Sequence, residues 1–185
     1  AISSGDMEKL RIPRQVLYRL YRAGKLVRVS RGVYAVSDVE PTEYHNFVTV
    51  STAIPGAVIC LLSALVFHDL TTQIPAEVWA AVNRAANRRS SNTGNMPVAL
   101  VRFSGDSFSD GIEVHRLEGV DVRVYSVAKT VADCFKYRNK IGLDVAIEAL
   151  TNCIRRKKAT HEEIWQSAKI CRVTRIIRPY LEVLV

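Results

Sequence analysis

Residues 12–36 read IPRQVLYRLYRAGKLVRVSRGVYAV, and their periodicity changes at Gly24. Before that point Pro13 opens a helix at a position where its missing N–H costs nothing. Val16, Leu17, Leu20 and Tyr21 fall on one apolar stripe. Arg14, Gln15, Tyr18, Arg19 and Arg22 occupy the opposite side. Gly24 suits the left-handed position just past a helix C-terminus. Beyond it the pattern alternates, so residues 26–29 and 33–36 read as short strands around a Ser30-Arg31-Gly32 turn. Upstream, residues 3–10 read as a shorter helix with a serine cap and acids in its first turn, and Arg11-Ile12 breaks it from the next. Helix, short turn, helix and basic hairpin is the order of a winged helix-turn-helix. The helix that a complete module carries before residue 3 is expected to be missing, since the chain starts without Met on a short polar run.

Charge is distributed unevenly around this stretch. The 185 residues carry a net charge of +8, yet residues 1–34 alone hold eight Lys/Arg against Asp6 and Glu8. Residues 153–178 hold another eight against Glu162 and Glu163, while residues 35–152 hold ten bases and thirteen acids. Basic ends flanking a mildly acidic middle point to a polyanionic partner more than uniform basicity would. Double-stranded DNA is the partner that the first stretch suits. Its helix would enter the major groove, where Gln15 and the arginines make bidentate base contacts. Lys25, Arg28 and Arg31, with Ser30 in the hairpin turn, would neutralise or hydrogen-bond phosphates.

A polar connector at residues 41–45 sets the boundary, giving a DNA-binding unit over 1–40 and a second α+β unit over 41–185. A short segment at residues 47–50 follows, then a nearly all-apolar buried helix over 58–70. Residues 78–82, 98–103, 112–116 and 120–125 read as strands of a small sheet, with a polar basic loop at 84–96. From Ser126 the period is helical. Ser126 caps a helix through residue 137, Gly142-Leu143-Asp144 leads into another, and Thr160-His161-Glu162-Glu163 is a capping box. Pro179 is expected to kink the last helix, over 173–184, or to begin a new turn.

Little in this second unit points to catalysis. His45, His68, His115 and His161 are dispersed, and neither a P-loop nor a GxGxxG is present. An enzyme is therefore not expected, nor a cofactor. The alternative is a metal-dependent nuclease or nucleotidyltransferase with a DNA-binding head, its carboxylates being Asp106, Asp110 and Glu113. With Ser104, Gly105, Ser107 and Gly111 around them, those carboxylates read instead as a solvated loop, and no metal is expected. Cys60, Cys134, Cys153 and Cys171 lack ligand spacing and read as reduced core thiols. No apolar run approaches the roughly 20 residues of a membrane span, and no secretory signal is visible, so a cytoplasmic protein is expected. The run Arg155-Arg156-Lys157-Lys158 is open to two readings, a solvated helix end or a contact for an acidic partner or nucleic acid.

The order of these motifs resembles the AbiEi family, the antitoxin and transcriptional repressor of type IV toxin–antitoxin systems. The resemblance is carried by GDMEKL at 5–10, IPRQVLYRL at 12–20, GKL at 24–26 and RGVY at 31–34. It continues through LLSAL at 61–65, HDL at 68–70, VRVYSVAKTVAD at 122–133 and GLDVA at 142–146. This chain has Val127 where the family usually has Pro, and Lys129 where it often has Arg. The resemblance implies a winged-helix domain that binds inverted repeats in its own promoter. It also implies a C-terminal domain that counteracts a nucleotidyltransferase toxin, functionally rather than by assured direct contact. The chain would act without enzymatic activity, as a monomer or weak dimer.

Overall fold

In a computed structural model the described residues are 2–3, 11, 13–30, 33–36, 42–85 and 96–184. Helix α1 (Arg14–Arg22) begins immediately after Pro13, whose φ of −60° is already helical. It ends where Gly24 takes φ +70°. The Gly24 N–H then reaches Tyr21 O at 3.1 Å and the Lys25 N–H reaches Leu20 O at 3.0 Å. Those two bonds satisfy carbonyls that the helix end leaves open. The chain turns into β2 (Leu26–Ser30), antiparallel to β3 (Val33–Val36), with Leu26 opposite Val36 and a register shift between Arg28 and Ser30. On the other side β3 pairs with β1 (Ile2–Ser3). Ser3 is thus a strand residue rather than a helix cap; the rest of that expected helix, residues 4–10, lies outside the described residues.

A second sheet has five strands, β4 (Val58–Ile59), β5 (Val78–Asn83), β6 (Val98–Phe103), β7 (Ile112–Leu117) and β8 (Val120–Tyr125), in the order β6-β5-β4-β8-β7. Pairs β4/β8 and β5/β6 are parallel, and β4/β5 and β7/β8 antiparallel, so the fold is α+β with a mixed sheet. The short β4 is central. Val58 lies opposite Ala81, and Ile59 sits between Ala80 and Val124. The single helix expected over 58–70 is therefore a strand followed by α3 (Leu61–Phe67), which opens at Leu61 with φ +46°. An apolar run of that kind suits a buried strand or a buried helix equally, and distant partners decide.

Alternate residues of the central strands face two layers. Ile59, Ala80, Val82, Val122 and Val124 pack with Phe47, Val48 and Val50 of α2 (His45–Ala53). The short segment at 47–50 is thus the middle of a helix. Its β-branched residues favour extended chain, but burying Phe47, Val48 and Val50 on the sheet outweighs that preference. Thr49 and Thr52 return their hydroxyls to the carbonyls of His45 and Val48. On the opposite face Val58, Ala81, Val101, Phe103 and Tyr125 meet α5 (Val127–Lys136), α7 (Leu143–Arg155), α8 (His161–Cys171) and α9 (Thr174–Val183). Between β6 and β7 lies the short α4 (Asp106–Ser109), and α6 (Arg138–Ile141) links α5 to α7.

The local signals in this half hold in detail. Ser126 accepts the Lys129 N–H at the start of α5. Thr160 and Glu163 form a reciprocal capping box opening α8. Helix α9 runs on through Pro179, where the Arg175 carbonyl lacks its helical donor. All four cysteines are buried and free. Among the described residues no helix is long and apolar enough to cross a membrane.

Candidate nucleic-acid interface

Residues 11–36 contain seven Lys/Arg and no carboxylate. Within them α1 is anchored by Leu17, which is buried together with Leu26 of β2 and backed by Leu20 and Tyr34. Anchoring that side exposes Gln15, Tyr18, Arg19 and Arg22, which share one face by their i, i+3, i+4, i+7 spacing. Tyr21, expected in the apolar stripe, is instead 41% exposed. Its ring meets Tyr34 edge-on at 5.6 Å. A tyrosine gains from such a half-covered position, since one ring edge packs while the hydroxyl stays hydrated. This contact ties helix to hairpin, and only the fold reveals it.

Arg22 is ordered by a neighbour one turn back. Its Nη2 donates to the Tyr18 hydroxyl at 3.3 Å, and its guanidinium lies 4.8 Å from the Tyr18 ring centroid. Stacking of this type restricts a long side chain and leaves other N–H groups of the fork available for an anion. Arg19 and Arg22 also occupy the last turn of α1, where the helix dipole favours cations. Lys25 is exposed in the turn that follows. Arg14 stands in the first turn of α1, and Arg28 and Ser30 on the strand β2 that follows it. Arg31 lies outside the described residues. The structure therefore gathers Gln15, Tyr18, Arg19 and Arg22 on one surface, with Lys25 at its end.

The connector after this unit is held by one carboxylate. Glu118, at φ +48° in the β7–β8 turn, accepts the Thr42 N–H at 2.7 Å and the Thr42 hydroxyl at 3.0 Å. It also lies 2.9 Å from His45 Nδ1. Desolvation pushes the Glu118 carboxyl up, but the bonds from Thr42 and His45 outweigh it and hold its pKa below the ordinary value. Its role follows from contacts across more than seventy residues of chain, so spacing offers no signal for it.

The other titratable residues are engaged separately. His68 Nε2 lies 2.6 Å from the Tyr125 carbonyl, and burial lowers its pKa. His115 contacts Glu113 at 3.3 Å, and His161 is exposed at the start of α8. Asp106 lies in α4, Asp110 just after it and Glu113 on β7. Among the described residues no group of three or more His, Cys, Asp and Glu is placed to hold a metal ion. In the basic run, Arg156 pairs with Asp69 and donates to the Asp69 carbonyl at 2.8 Å. Arg155 binds Asn152, which itself donates to Leu70 O. Half of that run therefore fastens the segment after α3 to α7.

No protein-family model matches this chain, and no curated protein sequence matches it either. A solved structure similar in fold is that of the RV2827C protein from Mycobacterium tuberculosis, with 12% identity and a TM-score of 0.55 over 99% of this chain and 74% of that one.

Proposed function

We propose that this chain is a DNA-binding transcriptional repressor and type IV antitoxin, with a winged helix-turn-helix in residues 1–40. The carrying observation is the exposed face of α1, where Gln15, Tyr18, Arg19 and Arg22 lie together on a helix followed by an antiparallel hairpin. Glutamine and arginine are the side chains that read adenine and guanine edges in the major groove, and Arg14 begins the same helix. Lys25, Arg28, Ser30 and Arg31 then serve the phosphates on either side. The absence of any carboxylate between residues 11 and 36 keeps the field one-signed.

The antitoxin part of the proposal rests on the resemblance alone. In that reading the chain acts in the cytoplasm as a monomer or weak dimer, binds inverted repeats in its own promoter and counteracts a nucleotidyltransferase toxin. The test is fluorescence anisotropy on a duplex from its own upstream region, beside a scrambled duplex of equal length. Preference for the first, lost with Gln15→Ala and Arg19→Ala, supports the reading. Equal weak binding to both by all variants overturns it. Co-expression with a nucleotidyltransferase toxin tests the second role, which fails if growth is not restored.

A further inference from the structure

Away from α1, a cavity of about 770 Å³ opens between α4, the C-terminal end of α5, and α8 with the residues that follow it. Four cations line it, Lys136, Arg138, Lys169 and Arg172, against the single carboxylate of Asp106. Four other cations of the same half have carboxylate partners: Lys129 with Asp133, Arg116 with Asp121, Arg156 with Asp69 and Arg178 with Glu182. Among the described residues none of the four lining cations has a carboxylate partner. Lys136 Nζ donates to Ser107 Oγ at 3.2 Å, and that hydroxyl donates to the Ile170 carbonyl at 3.2 Å. Arg138 spends one N–H on Phe135 O at 2.9 Å, and Lys169 Nζ reaches Gln166 Oε1 at 3.3 Å. Neutral partners thus hold Lys136, Arg138 and Lys169 with no carboxylate among them.

We propose that this cavity binds the diphosphate or triphosphate group of a nucleotide-sized small molecule. Like-charged side chains drawn from three elements repel one another, and an oligophosphate is the anion whose charge and several acceptor oxygens answer a net of three positive charges. A lone carboxylate ligand would leave most of that charge unmet. The volume lies in the range of small-molecule pockets, roughly 300–1,000 Å³. Ile170, Val173 and Ile176 line the same space and offer an apolar wall for the remainder of the ligand. A duplex backbone spreads its contacts over many phosphates, which a pocket with four clustered cations does not match. The site is independent of the DNA-binding face, because no residue is shared between them.

The probes are pyrophosphate and ATP, titrated calorimetrically into the full chain at physiological salt. Binding of both is expected, and Lys136→Gln with Lys169→Gln should weaken it about tenfold or more, as charge-assisted bonds are lost. Lys157→Gln with Lys158→Gln removes the same charge elsewhere and should change affinity by no more than about twofold. Lys136 and Lys169 are exposed, so both double variants are expected to melt with the parent, and Arg172→Gln provides an independent single change. The proposal is overturned if pyrophosphate does not bind at about 1 mM, or if the two double variants weaken it alike. Displacement of pyrophosphate by duplex DNA in an Arg19→Ala, Arg22→Ala background would also overturn it, assigning the cavity to nucleic acid.

Discussion

Lys129 Nζ lies 2.5 Å from Asp133 Oδ2, one turn apart on α5, with both side chains fully buried. The ammonium sits 4.3 Å from the Tyr125 ring centroid and 4.9 Å from that of Phe103. Cys171 Sγ donates to Asp133 Oδ1 at 3.1 Å. Burial pushes the Asp133 carboxyl up, and Lys129 and Cys171 pull it partly back. The pair is therefore neutralised internally rather than by water. Lys129→Met or Asp133→Ala alone is expected to cost about 3–5 kcal/mol, because each strands a buried charge. Lys129→Met combined with Asp133→Leu should cost far less. Urea denaturation of the three variants checks this; a double variant as unstable as the singles would refute it.

Gly111 closes the same region. Its φ is +66°, and a Cβ there would stand 2.8 Å from Lys129 Cβ and 3.0 Å from Ser126 Oγ. Its carbonyl also accepts the Ser126 N–H at 2.6 Å, so backing away would disturb the entrance to α5. Gly111→Ala is expected to lose about 2–4 kcal/mol, combining left-handed strain with overpacking. Thermal melting should show this as a drop of about 4–16 °C. An unchanged melting temperature would mean that α5 shifts freely, against its central packing.

On the α1 face the expected losses differ in kind. Arg19→Ala and Gln15→Ala should each relax sequence preference, costing about 1–3 kcal/mol on the preferred duplex and little on a scrambled one. Lys25→Ala should weaken both duplexes alike and reduce the salt slope by about 0.9. Tyr18→Ala removes the ring and hydroxyl that order Arg22, so it should weaken binding through Arg22 as well as through its own lost contact. Salt-series anisotropy separates the two classes. Identical behaviour of all four variants on both duplexes would remove the distinction between reading and anchoring.

The Thr42–Glu118 contact is expected to show itself in acid. Because the Glu118 carboxyl ionises more readily in the folded chain than at its ordinary value of 4.5, its stabilisation is present above that pH. It is lost as pH falls through the depressed folded value. Glu118→Gln should therefore cost about 1 kcal/mol at neutral pH, and the difference from the parent should shrink as pH falls below the ordinary value of 4.5. A difference that stays constant from neutral pH into acid well below 4.5 would place the effect in shape rather than charge.

Much of this architecture is legible locally. The stop at Gly24, the alternation on either side of Ser30, the Ser126 cap and the Thr160–Glu163 box each depend on groups within about four residues, where chain geometry alone decides the contact. The exposed face of α1 is legible for the same reason, since helical spacing places Gln15, Tyr18, Arg19 and Arg22 together before any packing occurs. Tertiary structure decided the rest. Val58 and Ile59 became a central strand because Ala80, Ala81 and Val124 stood ready to pair with them, and residues 47–50 became helical because the sheet needed a cover. Tyr21 turned out half-exposed because Tyr34 arrived beside it, and the four cations of the cavity met only when α5 and α8 were packed together. Adjacent residues settle their contacts through backbone geometry. Burial and charge compensation required partners far along the chain, and no local pattern encodes which of those will arrive.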